Sequence, residues 1–417
     1  MGTRATTRGK TLCDASIVRR KNKAMDKLGV LFFPFDAVGG STFYRLLQPA
    51  QKLDQYGLCH VGVLRPSDPS SARYEAIKVS DVLVFYFSAS PQMAEQFCHI
   101  KKAGKKIVMD MNDDIFNVSP YSIHYRTLGT KEVVHMGSDG EFVKLWEDGV
   151  NIDIERNRKR LDLQKEVLRS VDLITVTTPY LAKLYSEFND TAVLPDMVDL
   201  EIFKPLWVTY PENAFRLGWR GGESHYEDLM YVKEPLDKLF QACANLKLVM
   251  SGFCPGSLVK DIPKERIEVY PFFGHPAFEW HMMALGCHMA FYPWTDITFN
   301  QGKNNLCWQQ WSAIEVPGVY PAMTPYTDHV IHGETGLIAG SKEGWFDCIN
   351  KLILDKPLRR RIARQARREV EEKWDINQGV KQWAETYQNL MEDQKAWTSS
   401  NSRMETEASE NSSVVLH

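Results

Sequence analysis

The chain lacks any apolar run long enough to span a bilayer. Its longest, such as residues 28–35, falls well short of the roughly 20 residues a membrane helix needs. It has no CxxC pair and no HExxH pattern, so the common zinc-site signatures are missing. It has little net charge, −3, and therefore no global basic field that calls for nucleic acid or a membrane surface. It has no GxGxxG after the first apolar run. The loop there is Asp36-Ala37-Val38-Gly39-Gly40-Ser41, and Leu64 leads into Arg65-Pro66 rather than an acid. That excludes a plain dinucleotide-dependent oxidoreductase. No apolar segment follows the basic N-terminus early enough to make a secretory signal. The eight Cys (13, 59, 98, 243, 254, 287, 307 and 348) sit mostly inside apolar runs. They read as small buried hydrophobes in a reducing compartment, so a cytoplasmic location is expected.

What is present is an α/β alternation that runs twice. With 417 residues, 44% apolar and 25% charged, the chain is sized and composed as a two-domain globular protein. Residues 28–33 read as a buried strand, 34–41 as a Gly-bearing loop, and 42–56 as a helix with Phe43, Leu46, Leu47, Ala50 and Leu53 at helical spacing. Strand, Gly loop and helix open a doubly wound domain. Strands at 60–64, 81–87, 106–109, 173–176 and 192–194 continue it, with helices at 91–103, 152–170 and 180–187 between them. The stretch 195–213 is Pro-rich and aperiodic and reads as a linker. The alternation then restarts at strand 215–219, loop 220–225 and helix 226–244, and runs on to helices at 342–354, 358–374 and 377–392. The expected layout is a basic disordered arm (1–26), a first Rossmann-like domain (27–200), a second (201–375), a helix crossing back (376–397) and a disordered polar tail (398–417). Ligands of such sheets bind at the carboxyl ends of the strands, so two facing sheets would share one cleft.

The most informative stretch is 299–337. Lys303 and Asn304 sit where a helix should begin, and exposed N–H groups there beside an ammonium make an anion site. His332-Gly333-Glu334-Thr335-Gly336 is a tight turn before an apolar run. Asp110-Met111-Asn112-Asp113-Asp114 follows a buried strand, where five such residues do not suit a core. Either Asp113 or Asp114 caps residues 115–117, or Asp113 and Asn112 stand at the cleft floor. The Arg-rich helix around Arg359–Arg368 is followed at once by Glu369, Glu371 and Glu372, and reads as a solvated amphipathic helix rather than a nucleic-acid stripe.

Three local patterns carry a family resemblance. They are Leu217-Gly218-Trp219-Arg220-Gly221-Gly222-Glu223-Ser224-His225-Tyr226-Glu227-Asp228-Leu229, Pro293-Trp294-Thr295-Asp296 with Phe299-Asn300 and Lys303, and the turn 332–337. In this order they resemble the two-Rossmann-domain (GT-B) nucleotide-sugar glycosyltransferases of the large retaining group, glycosyl transferases group 1, in its bacterial and phage branch. The resemblance covers roughly residues 28–390. It implies an α/β fold of two facing Rossmann-like domains, a nucleoside-diphosphate sugar as co-substrate, transfer to an acceptor hydroxyl with retention, and no metal or other cofactor. The donor diphosphate is expected on Arg220, Gly221, Gly222, Lys303, Asn304 and Asn305. His225, Gln310, Glu334 and Thr335 are expected beside the donor, with Gly39 and Gly40 approaching from across the cleft. The donor base is expected near Gly252-Phe253-Cys254 and Phe272-Phe273-Gly274. Asp113 and Asn112 would orient the acceptor, with Lys303 and Arg220 stabilising the leaving group. Tyr44 and Arg45 could face the cleft.

The chain departs from the family where a Glu normally bridges the donor ribose: that position is Gln310, and its usual earlier partner falls at Gly302. An amide cannot give a charge-assisted bidentate pair. A catalytically idle protein of this fold that binds a nucleotide sugar or a partner is therefore the competing expectation. The acidic run 110–114 also looks like the motif of single-domain, metal-dependent transferases, but the two-domain pattern argues against metal. A phosphorylase of the glycogen kind would need a pyridoxal-bearing Lys in a much longer chain. For the acceptor, the branch resembled suggests a modified (hydroxymethyl) base of phage DNA, or a polysaccharide. The basic arm slightly favours the polyanion. In the phage case the location is the host cytoplasm.

Overall fold

The computed structural model describes residues 27–36, 39–87, 89–122, 124–136, 142–144, 152–205 and 214–392. The basic arm at 1–26, the polar tail at 398–417 and the later part of the linker, 206–213, lie outside the described residues.

The first domain contributes strands β1 (Gly29–Phe33), β2 (His60–Val63), β3 (Val82–Tyr86), β4 (Lys106–Met111), β5 (Val134–Met136), β6 (Phe142–Lys144), β7 (Leu173–Val176) and β8 (Thr191–Val193). Six of them form one sheet in the order β2-β1-β3-β4-β7-β8, while β5 and β6 pair as a separate antiparallel hairpin. The second domain contributes β9 (Phe215–Gly221), β10 (Leu246–Gly252), β11 (Ile267–Tyr270), β12 (Met289–Phe291), β13 (Gly318–Pro321) and β14 (Leu337–Ala339), ordered β11-β10-β9-β12-β13-β14. Every pairing in the two six-stranded sheets is parallel. Helices cover both faces of such sheets, so their strands read as unbroken apolar runs. In β1, Val30, Leu31 and Phe32 are at most 1% exposed, and burying each contributes about 1.5–3 kcal/mol. In each sheet the strand order reverses once, between β1 and β3 and between β9 and β12. Loops leaving the carboxyl ends of those strands frame the crevice where ligands of open α/β sheets bind.

The structure revises several element boundaries. Residues 226–244 form two helices, Tyr226–Tyr231 and Lys233–Ala242. Pro235 explains the break: it is tolerated in a helix's first turn but would clash in the interior of a single long helix. A helix at Ser70–Val79 escapes the periodicity reading because none of its residues is buried. The helix after the first loop contains a π-turn, Phe43–Leu47. Helices 381–392 and Ile376–Gly379 return to the first domain. Trp383, Ala384 and Tyr387 join Val30, Phe32 and Leu46 in its core, and Tyr387 meets Phe32 edge-on at 6.3 Å.

The start of the expected linker is a buried strut, not a free tether. Asp196 pairs with Arg45 at 3.0 Å and Asp199 with Lys52 at 2.8 Å. Val198 N–H donates to the Trp374 carbonyl, and the Val198 carbonyl accepts from Ile376 N–H. A Pro-rich, aperiodic sequence does not reveal these ion pairs, because their partners lie far away in the chain. Among the described residues no helix is long and apolar enough to cross a membrane.

Candidate functional site

Arg220 lies one residue before the end of β9, where the strand turns from buried to half-buried, and points its guanidinium at an aromatic cage. Its charge centre lies 5.6 Å from the Phe278 ring and 5.9 Å from that of Tyr292. The nearest ionisable neighbours are Cys307, Tyr292, Tyr44 and Tyr326. Burial raises the pKa of each of these four, so all are neutral near pH 7. Nε and Nη2 of Arg220 are buried with no hydrogen-bond partner. Leaving such cationic nitrogens without an acceptor is costly, and both are free to donate to an incoming acceptor. The backbone beyond it is drawn tight. A Cβ on Gly221 would meet the Trp219 ring at 2.7 Å. Gly252, at φ +94°, lets β10 approach close enough for Phe253 N–H to donate to the Gly221 carbonyl at 2.9 Å. Nothing crowds Gly222.

One carboxylate fastens the next loop. Asp228, in the first turn of the helix after β9, accepts from Thr295 N–H (2.7 Å), the Thr295 hydroxyl (2.8 Å) and Asn300 Nδ2 (2.9 Å). Its other oxygen meets His225 Nδ1 at 2.8 Å, and His225 Nε2 meets the Tyr292 hydroxyl at 3.0 Å. Both ring nitrogens of His225 are thus engaged within the second domain, and its observed work is to bind loop 292–303 to β9. The His-x-x-Asp spacing, one helical turn, was the signal for this pair, and Asp228, quoted within the motif, receives its role only from the structure.

At the end of that loop Lys303 reaches across the cleft. Its Nζ donates to Asp113 Oδ1 at 2.7 Å and lies 4.1 Å from the Phe299 ring centroid. Asn304 Oδ1 accepts from Leu306 N–H at 3.0 Å, opening the helix Leu306–Ala313, and Nδ2 donates to Asp196 Oδ2 at 2.6 Å. Asn305 Oδ1 accepts from Gln309 Nε2, while its own Nδ2 is buried without a partner. Gln310 Nε2 donates to the Tyr44 hydroxyl at 2.8 Å, and its Oε1 is a buried acceptor with no donor. At Gly302 the domains come close: an added Cβ would stand 3.2 Å from Asp114 Cβ and from Leu181 Cδ2. A Glu at that position would push the halves apart, which gives the departure a steric reason.

On the first domain's side, the three carboxylates of 110–114 diverge. Asp110 is buried and holds Arg45 with both oxygens, at 2.9 and 2.8 Å, and Thr175 at 2.6 Å. Arg45, 1% exposed, also donates to Asp196 and to the Leu194 carbonyl. It is an internal pillar, not the cleft residue expected, because only its buried acids satisfy the charge. Asp114 takes the cap, accepting from Phe116 N–H and Asn117 N–H, which leaves Asp113 for Lys303. Asn112 accepts from the Tyr86 hydroxyl at 2.7 Å and donates to Ser41 Oγ at 2.8 Å. Gly39 is not there for a left-handed turn: its φ is −66°. It is required because a Cβ would stand 2.6 Å from the Asp36 carboxylate, which accepts its N–H at 2.5 Å. Gly40 faces His275 Nε2, 3.6 Å from its would-be Cβ.

The structure therefore gathers Arg220, Lys303, Asn304, Gln310 and Asp113 about one cleft, together with Tyr44. The turn 332–336 packs on the same helix, since Trp308 Nε1 donates to the Thr335 carbonyl at 2.9 Å. The Thr335 hydroxyl accepts from Ile331 N–H, and Glu334 is exposed. Among the described residues no group of three His, Cys, Asp or Glu side chains is placed to hold a metal ion.

No protein-family model matches the chain, and no curated protein matches it by sequence. Among solved structures it is similar to sucrose-phosphate synthase from Thermosynechococcus elongatus, with TM-score 0.59 and 14% identity over 88% of this chain and 100% of that one. It is similar to a glycosyltransferase from Rickettsia africae, with TM-score 0.58 and 12% identity over 88% and 99%. It is also similar to Anabaena HepE in complex with UDP and glucose, with TM-score 0.56 and 15% identity over 87% and 99%. At such identities the likeness is one of architecture, and the chain has the two-domain GT-B fold of these glycosyltransferases.

Proposed function

We propose that the protein is a glycosyltransferase that moves a sugar from a nucleoside-diphosphate sugar to an acceptor hydroxyl, with retention and without a metal ion. The observation that carries this reading is the buried Arg220 guanidinium, whose two unpartnered N–H groups sit beside the first turn of the helix Leu306–Ala313. Donor N–H groups, a fixed cation and a helix start are what a diphosphate requires. The same fold holding UDP in HepE agrees with it.

Lys303 is held by Asp113. When the donor arrives, its diphosphate competes for the ammonium, and Lys303 joins Arg220 in stabilising negative charge on the leaving group. Asp113 is then released to orient the acceptor hydroxyl, with Asn112 beside it. The anomeric carbon–oxygen bond to the diphosphate breaks, the bond to the acceptor oxygen forms on the same face, and the acceptor proton passes to the departing phosphate oxygen. Closure of the cleft excludes water, whose attack would waste the donor.

For the acceptor, we favour a polyanion such as DNA bearing hydroxymethyl bases over a neutral polysaccharide. Helix Lys356–Lys373, whose flanking acids give it the pattern of an ordinary solvated helix, buries Leu358, Ile362, Ala363, Ala366 and Val370 and exposes Arg360, Arg361, Arg364 and Arg368. Arg367 and Lys373 are paired with Glu371 and Glu369, but those four guanidiniums have no acidic partner among the described residues. A cytoplasmic location fits the free thiols of the seven described Cys. The second reading, a nucleotide-binding protein without turnover, is favoured by Gln310 and Gly302.

The test is a thermal-shift screen against nucleotide sugars, followed by product analysis with hydroxymethylated DNA and with glycans, with and without chelator. A donor that raises the melting midpoint and is consumed, equally well in chelator, supports the proposal. Stabilisation without consumption establishes the second reading. Absence of any shift rejects both, and loss of turnover restored by Mn²⁺ overturns the metal-free mechanism.

A further inference from the structure

Two half-buried tyrosines stack on one another across the cleft. Tyr121 lies on the loop that leaves β4 and carries Asp113, and Tyr226 opens the helix that follows β9. Their ring centroids are 5.0 Å apart, with the planes 27° from parallel. Phe253 backs Tyr226 at 6.5 Å. The next residue, Glu227, is half-buried and is the charge that acts most on Tyr121. Burial, and then the charge of Asp228, push the Glu227 pKa up against a hydrogen bond with Ser119, which is buried in the first domain. No cation among the described residues offsets this. The pair stands beside the reacting groups: Asp228 holds Asn300, and Lys303 of the same loop donates to Asp113. Phe299 joins the domains differently. It is 4% exposed and belongs to a core cluster of the first domain, whereas the tyrosines and Glu227 keep part of their surface in solvent.

Flat rings carried by opposite domains separate as a cleft opens. Admitting one more flat layer between them asks for roughly 2 Å, at about 3.4 Å per stacked ring. A heteroaromatic ring offers a π-face to each wall, while a puckered sugar ring is thicker and offers none. An ionised carboxylate only accepts hydrogen bonds, so the ring that Glu227 meets carries an N–H or amino donor. We propose that Tyr121 and Tyr226 clasp the acceptor's ring between them, with Glu227 accepting from its edge, and that the acceptor is a nucleobase turned out of its strand rather than a saccharide. This deepens, and rests on, the reading of the protein as a sugar transferase. One loop carries both Tyr121 and Asp113, so the clasp and the acid that orients the acceptor hydroxyl are set together. Tyr121, Tyr226 and Glu227 are then specificity-determining residues.

The experiment titrates the full chain with a short, labelled single-stranded DNA holding one hydroxymethylcytosine, and with the same strand made abasic at that position, read by fluorescence anisotropy. A single strand spares the cost of unpairing, and the abasic strand cancels the phosphate contacts. A maltooligosaccharide is the competitor, and calorimetry with uridine and guanosine diphosphates checks the donor side. Wild type should prefer the base-bearing strand by about 5- to 150-fold, the scale of stacking a base on aromatic side chains. Tyr121→Ala should remove most of that preference and Tyr121→Phe should keep it, with diphosphate binding unchanged in both. Glu227→Ala should narrow it. A preference that survives in Tyr121→Ala overturns the clasp, and one that survives in Glu227→Ala overturns the role of Glu227. Should the variants not fold, wild type still decides, because equal affinity for the two strands overturns the clasp. A maltooligosaccharide bound more tightly than the base-bearing strand overturns the nucleobase in favour of a saccharide. If diphosphates bind while the strands are not told apart, the clasp alone falls. If no diphosphate binds, the transferase reading falls, and this assignment with it.

Discussion

Arg220→Met separates a functional cation from a structural one by the sign of its effect on stability. In the ligand-free protein Arg220 buries two N–H groups with no acceptor, and each such group costs about 1–3 kcal/mol. Two cation–π contacts, with Phe278 and Tyr292, return about 0.5–2 kcal/mol. Met has a similar reach, suits an aromatic wall and carries no unmet donor. Replacing Arg220 should therefore stabilise the protein by about 1–3 kcal/mol, or roughly 2–12 °C in the midpoint of a domain of this size. The same change removes a charge-assisted contact to the diphosphate and should weaken nucleoside-diphosphate binding by about 2–4 kcal/mol, or 30- to 1,000-fold. Differential scanning fluorimetry gives the first quantity and calorimetric titration the second. The two must move in opposite directions. A variant that melts lower and binds nucleotide as tightly as wild type would refute the reasoning, because Arg220 would then be a packing residue.

Two further outcomes follow from the geometry. Lys303→Ala should raise the transfer barrier by about 2–4 kcal/mol, since Lys303 is the one cation seen spanning from the second domain's anion loop to Asp113; a turnover number within twofold of wild type would remove it from the mechanism. His288, whose Nδ1 accepts from Arg216 N–H at 3.2 Å, has its pKa lowered to about 4 by burial and then by Arg359, Arg216 and Lys356. An unfolded His titrates near 6.5, so its contribution to stability is complete above that pH and is lost as pH falls toward 4. His288→Asn keeps an acceptor for Arg216 and should flatten the decline in urea midpoint between pH 6.5 and 4.5, whereas an unchanged slope would show that His288 does not govern it.

The alternation of apolar runs and Gly-bearing loops was enough to find both sheets, because parallel strands buried on two faces carry their signal locally. The placement of Lys303 and Asn304 was legible for the same reason: they precede an apolar helix by a fixed spacing. What stayed hidden depends on pairs distant in the chain. Arg45 looks like a cleft residue until Asp110 and Asp196, 65 and 151 residues away, close on it. Asp228 looks like an ordinary first-turn acid until Thr295 and Asn300 arrive. Position 310 looked like a lost carboxylate, and only the fold shows its amide donating to the Tyr44 hydroxyl of the other domain, 266 residues away in the chain. His225, expected beside the donor, spends both ring nitrogens on Asp228 and Tyr292, partners 3 and 67 residues away that its motif alone does not reveal.

The closed cleft has a kinetic consequence that follows from which contacts cross it. Lys303 meets Asp113 at 2.7 Å, Asn304 meets Asp196 at 2.6 Å, Gln310 meets Tyr44 at 2.8 Å and His275 stacks on Phe43 at 4.2 Å. If Tyr44 must move aside for a donor to reach Arg220, binding proceeds from an open minority, and apparent affinity is reduced by that fraction. The Phe43 ring meets Tyr44 edge-on at 5.1 Å, and its stack on His275 favours the closed form by about 0.5–1.5 kcal/mol. Phe43→Ala should therefore enlarge the open fraction about 2- to 12-fold. Stopped-flow mixing with nucleoside diphosphate should show the association rate rising by a similar factor, with the melting midpoint lowered only slightly. If association is unchanged and only dissociation quickens, the Phe43 ring contacts the bound donor instead, and Tyr44 does not gate the site.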